Sequence, residues 1–97
     1  MRITAVSRDL MDRSKITGAF ADARVVRSAD DLIGADVVLV DLSIPGAVEA
    51  AVGTGARVIA YGSHVDEETL AAATALGAET MPRSVFFRRL AEGTLLA

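Results

Sequence analysis

Ninety-seven residues, 52% of them hydrophobic and 24% charged, suffice for one folded domain with a packed core and leave no room for a second. The absence of cysteine excludes disulfides, thiolate metal sites and cysteine nucleophiles, and a net charge of -3 gives no field that would gather nucleic-acid phosphates. No apolar run approaches the ~20 residues of a membrane span, and MRITAVSRDL lacks the apolar core of a secretory signal, so the expectation is a cytoplasmic protein that binds neither nucleic acid nor membrane. Along the chain, short Val/Ile-rich runs alternate with longer Ala-rich stretches at helical spacing, the rhythm of parallel βα units. Ile3 to Val6 reads as a first strand, and Asp9 as the cap of a helix with Leu10, Ile16, Phe20 and Ala23 on its apolar face. Arg24 to Arg27 reads as a second strand, followed at Ser28 to Asp31 by a cap and an abbreviated helix. Asp36 to Asp41 has no alternation and therefore belongs at the centre of the sheet, buried on both faces.

Pro45 and Gly46 open a short helix over Ala47 to Val52, which Gly53 and Gly55 stop. Val58 to Tyr61 is a fourth strand. Asp66 caps the clearest helix, with Glu67 and Glu68 in its first turn, Leu70, Ala73 and Leu76 inward and Gly77 at its stop. Ala78 to Met81 is a brief fifth strand, and Ser84 is expected to cap a last helix containing Val85, Phe86, Phe87 and Leu90. Five such strands joined by right-handed crossovers predict an α/β fold: a five-stranded parallel sheet in the order 2-1-3-4-5, with helices on both faces. Ligands of such sheets gather at the carboxyl ends of the strands. There the order brings together Ser7 and Arg8, Asp41, Gly62 and Ser63, with Asp9, His64 and Arg83 nearby.

The segment VVLVDLSIPG, Val37 to Gly46, resembles the phosphoacceptor segment of response-regulator receiver domains, and VIAYGS followed by LGAETM extends the likeness over nearly the whole chain. The resemblance implies a receiver, flavodoxin-like fold with Asp41 at the phosphoacceptor position. It also implies two adjacent carboxylates ending the first strand to hold magnesium, a serine or threonine ending the fourth, and a lysine followed by proline ending the fifth. The sequence departs at each. Ser7 and Arg8 stand for the carboxylate pair, Gly62 or Ser63 for the hydroxyl, and Arg83 or Ser84 for the lysine, with Pro82 before them. A guanidinium supplies no ligand to magnesium and repels it, so no metal and no cofactor are expected. Arg8 is expected to pair with Asp41 and replace the metal electrostatically.

Other constellations weigh less. Ser63, His64 and Asp66 are too close in one turn for a catalytic relay, and no GxSxG frames the serine. His64, the only histidine, has no partner at metal-ligand spacing. Neither GxGxxG nor GxxxxGK[ST] occurs. Asp30 with Asp31, and Asp66 with Glu67 and Glu68, suit helix starts. Arg83, Arg88 and Arg89 beside Phe86 and Phe87 form the one positive patch. Adjacent phenylalanines cannot share one side of a helix, which makes the last strand and helix the expected surface for a protein partner or self-association. The first functional expectation is a stand-alone pseudo-receiver, without enzyme activity, that signals by contact independently of phosphorylation. The alternatives are a single-domain phosphoacceptor of a two-component relay, through Asp41, and small-ligand binding at the carboxyl edge of the sheet.

Overall fold

The β-branched runs pair in parallel to form one sheet, and the computed structural model, which describes residues 1–97, orders its strands β2-β1-β3-β4-β5. These strands are β1 (Ile3–Val6), β2 (Arg24–Val26), β3 (Val37–Asp41), β4 (Arg57–Gly62) and β5 (Glu79–Pro82). Four helices connect or follow them: α1 (Leu10–Ala19), α2 (Ala47–Gly53), α3 (Glu67–Ala75) and α4 (Arg83–Glu92). Strand β3 lies in mid-sheet with all five residues buried, as its unalternating sequence predicts. No helix in the chain is long and apolar enough to cross a membrane.

Side chains leave each strand alternately to the two faces, so two cores form. On one face Val6, Val38, Val40, Val58 and Ala60 meet α2 and α3 through Ala47, Val48, Ala51 and Ala73. On the other, Ala5, Val37, Leu39, Ile59 and Tyr61 meet α1 and α4 through Ile16, Phe86 and Leu90. The caps foreseen at Asp9 and Asp66 are present: each side chain accepts a backbone N–H three residues on, from Asp12 at 3.0 Å and Thr69 at 3.3 Å. Gly77 follows α3 with φ 107°, a conformation that a side chain at this position would resist.

Local expectations fail where tertiary context overrides them. No helix forms between β2 and β3. Residues 27–36 cross as a strap, Ser28 bonds nearby Asp30 instead of capping a turn, and Leu32 plugs the core with Ala29 and Ala35 packed partly buried beside it. Pro82 rather than Ser84 occupies the cap position of α4, because β5 runs directly into that helix and Ser84 falls in its first turn. Leu10 and Leu76, on apolar faces by spacing, are exposed, Leu10 as the first residue of α1 and Leu76 as the residue that ends α3.

Candidate functional site

The register of the sheet fixes a row of side chains at its carboxyl edge. Val6 is level with Val40, so Ser7 follows beside Asp41; Asp41 is level with Tyr61, and Tyr61 with Met81. Each of these strands ends within a residue of this row, which is why chemistry-bearing side chains collect here.

Asp41 is nearly buried, and its Oδ1 accepts the backbone N–H of Ser43 at 2.9 Å, an Asx-type turn that fixes the carboxylate as the chain leaves β3. Beside it opens a cavity of about 210 Å³ whose walls include Asp41, Ser43, Gly62, Ser63, Asp66 and Arg83. Gly62 permits the close approach of its neighbours, since a Cβ there would lie 3.3 Å from Leu42 Cδ1. Of the residues singled out by sequence, Asp41, Gly62, Ser63 and Arg83 share this cavity. Ser7 lies fully buried in the row, and its hydroxyl is a buried polar side-chain group without a hydrogen-bond partner. Asp9 is committed to capping α1, and His64 is exposed in the turn before α3.

The expected pair of Arg8 with Asp41 does not form. Arg8 is exposed and its Nε donates to the carbonyl of Arg27 at 3.0 Å, because the chain turns outward after Ser7 and carries the guanidinium toward the end of β2. The cation at the site comes instead from the other end of the chain. Arg83 opens α4 and donates two bonds, at 2.9 and 2.7 Å, to the carboxylate of Asp12 in the first turn of α1. Asp12 is almost wholly buried, and the phenol of Tyr61 donates to it at 3.3 Å. The guanidinium also lies over the rings of Tyr61 and Phe87, 5.3 and 5.2 Å from their centroids. Hydrogen bonding to Asp12 holds the Arg83 pKa above its ordinary value, so the group is a permanent cation. Burial pushes the Tyr61 phenol up against the opposing pull of the neighbouring Ser7 hydroxyl and the Arg83 guanidinium, and the Asp41 and Asp12 carboxylates push the same way as burial.

Asp12 is the residue that sequence reasoning missed. It reads as an ordinary acidic residue in a helix's first turn, and its partner lies 71 positions away. The signal was faint: polar Asp12 sits one helical turn before buried Ile16, on the inward face of α1.

No protein-family model and no curated protein matches the sequence. Solved structures do. The receiver domain of NtrX from Brucella abortus superposes with a TM-score of 0.73 at 20% identity, over 96% of this chain and 97% of that one. The BeF3-activated receiver domain of DrrB gives 0.73 at 15% identity, over 94% of each chain. A longer NtrX structure, in complex with ADP, gives 0.74 at 20% identity; there this chain spans 27% of the other's length. The chain has the receiver fold. Within that fold, β3 ends in Asp41, but the level positions on the neighbouring strands are Ser7, Tyr61 and Met81, and Pro82 follows Met81. The lysine-proline place that the receiver likeness implies is therefore held by Met81 and Pro82, with Arg83 one residue beyond it.

The magnesium of that likeness does not fit these residues. Ser7 is neutral, Arg8 points away, Asp12 is occupied by Arg83 and Tyr61, and Asp66, the one other carboxylate lining the cavity with Asp41, caps α3. No three His, Asp or Glu side chains gather where they could hold a metal ion, whereas magnesium demands several hard oxygen ligands in octahedral array.

Proposed function

We propose that this chain is a receiver-fold signalling module that acts through protein contacts independently of phosphorylation and carries no enzyme activity. The observation that supports this most strongly is the row around Asp41: neutral Ser7 and Tyr61 flank that single carboxylate, Met81 follows beyond Tyr61, and the nearest fixed cation is forked to a different carboxylate. Transfer of a phosphoryl group to a carboxylate requires the charge between them to be neutralised, by metal and cation together. Arg83, already satisfied by Asp12, offers that service only if the fork opens. The contact surface in this reading is the last strand and helix, where Arg88 and Arg89 are exposed and Phe87 is half-buried.

One observation favours a second reading, a phosphoacceptor in a two-component relay: Asp41, Ser63 and Arg83 do line one cavity. Intact-mass measurement after incubation with acetyl phosphate, with and without magnesium and with Asp41→Ala as control, separates the two. The expected result is no mass increase. Addition of one phosphoryl group that needs both magnesium and Asp41 would overturn the first reading and establish the second.

A further inference from the structure

Asp41 enters no ion pair. Only 8% of the residue is exposed, and of its two oxygens Oδ1 accepts the Ser43 N–H while Oδ2 accepts no hydrogen bond. That oxygen is not sealed in the core, since Ser7 Oγ is the only buried side-chain nitrogen or oxygen without a partner. A carboxylate so far withdrawn from water is costly unless donors meet it. The groups at hand do not. Ser7 and Tyr61, its neighbours in the row, are neutral, and both the Tyr61 phenol and the Arg83 guanidinium give their protons to Asp12.

The cavity of about 210 Å³ beside Asp41 lies on the β4 side of β3, away from Ser7 and Arg8, the positions to which the receiver likeness gives a metal. Its polar walls offer the hydroxyls of Ser43, Ser63 and Thr69 and a second carboxylate, Asp66; Leu42 and Leu70 supply apolar wall. Arg83 is the only cation on these walls, and Asp12 behind it matches its charge, so Asp41 and Asp66 leave the cavity negative. Glu67 and Glu68, in the first turn of α3, add to the same sign. Between Ser28 and Pro82 the only lysine or arginine is Arg57, at the opposite end of β4.

An occupant that completes Asp41 therefore brings positive charge, hydrogen-bond donors and a short apolar body. A primary ammonium sets three donors about a point charge, which suits one free carboxylate oxygen among hydroxyls. A guanidinium fork uses both oxygens of a carboxylate, and Ser43 already holds one here. Leu42 and Leu70 give a methylene chain a surface to lie against.

We propose that this cavity binds a primary ammonium group on a short aliphatic chain, the ammonium donating to Asp41 Oδ2 and the methylenes lying against Leu42 and Leu70. The group arrives either on a free amine or as a lysine side chain of another protein. The inference rests on the reading of Asp41 as a carboxylate that is not phosphorylated, and gives that carboxylate an occupant.

The test titrates the whole protein, at constant ionic strength, with n-butylammonium and with butanol and butyrate, which share its chain. Amide shifts in the NMR spectrum report binding. Saturable changes centred on Ser43, Gly62 and Ser63 are expected with butylammonium alone, in the millimolar range that so few atoms allow. Butylguanidinium should bind about tenfold more weakly or worse. Asp41→Asn keeps an acceptor for the Ser43 N–H and should abolish binding. Ser63→Lys, at an exposed position on the same wall, brings a tethered ammonium; it should block the added amine without lowering the melting temperature, a result that stands even if Asp41→Asn disturbs the fold. Putrescine and Nα-acetyl-lysine amide separate the sources: tighter binding of the diamine supports a free amine, tighter binding of the lysine derivative a protein side chain. Equal shifts with butanol, shifts with butyrate instead of the amine, no saturable response, changes centred away from the cavity, or binding that survives both substitutions would each overturn the proposal. The acetyl phosphate assay is read by mass and the titration by shift, so the ammonium site and the phosphorylation-independent reading fail distinguishably.

Discussion

The two faces of the sheet are covered by different means. Over one, α1 and α4 bring large side chains: Phe86 and Phe87 stack with Tyr61 at 4.3 and 5.1 Å between centroids, and the Arg83–Asp12 fork ties the two helices together above them. Over the other, α2 and α3 lie close on alanines and valines, and beside β2 a strap with a single leucine stands in for a helix. The contrast teaches that one sheet can be held by a few high-value contacts on one side and by many small ones on the other. The functional row at the carboxyl edge is anchored from the first side, because Tyr61 belongs to both the core and the network.

Truncation should expose this difference most directly. Phe86→Ala is expected to cost about 3–5 kcal/mol in chemical denaturation, since it removes a fully buried ring from the aromatic stack. Leu32→Ala, on the other side, should cost about 2–3 kcal/mol, and the substitution of its neighbour Ile33 by Asp, in a 92% exposed position, about 0.5 kcal/mol or less. If Leu32→Ala matched Phe86→Ala, the strap would be as strong a cover as the helices. Arg83→Ala leaves Asp12 buried without its cation. A loss of about 2 kcal/mol is expected, below the figure for a wholly buried pair because the arginine side chain is 45% exposed and water can reach the fork.

Tyr61 sharpens the comparison through pH. Its phenol is raised above the ordinary 10.0, so above that pH the unfolded chain releases a proton that the folded chain retains. The unfolded state then binds fewer protons, and stability falls as pH rises. Because Tyr61 is the only tyrosine, phenolate absorbance should appear together with unfolding and not before it. Tyr61→Phe should flatten the alkaline decline while costing about 1 kcal/mol at neutral pH through the lost bond to Asp12. An early, reversible phenolate signal from the folded protein would contradict the burial argument.

The smallest effect belongs to the edge pair of Arg57 and Glu79. Hydrogen bonding to Arg57 holds the Glu79 carboxyl below its usual value, so the contribution is present at neutral pH and disappears as pH falls through the carboxylate range. Both side chains are well exposed, and Glu79→Gln should cost about 0.5 kcal/mol, with no difference from the parent protein in acid.

Strand order and layers were legible in the sequence because burial leaves a periodic record. The apolar run over β3, the caps at Asp9 and Asp66 and the glycine after α3 are local features with local causes. The row at the carboxyl edge was legible only in part. Asp41 stands at a strand end, and strand ends follow from pattern. The direction of a side chain just beyond a strand does not, so sequence pairs Arg8 with Asp41 although the turn carries it to Arg27. Sequence offers no clean counterpart of the lysine beyond Arg83 or Ser84, whereas the pairing of β4 with β5 puts Met81 level with Tyr61. The Asp12–Arg83 fork joins the first helix to the last, and no window of sequence contains both.

The strap of residues 27–36 sets where the native state opens first. Strand β2 is three residues long, lies at the edge of the sheet and pairs only with β1. Its release, with the strap, sacrifices one short ladder, the burial of Leu32 and the partial burial of Val25, Val26, Ala29 and Ala35, while the four-stranded remainder keeps its aromatic core. Native-state hydrogen exchange should therefore resolve this corner as a separate unit, exchanging through a partial opening well below the free energy of global unfolding. The corner at β2 can thus loosen while the sheet from β1 to β5 stays paired.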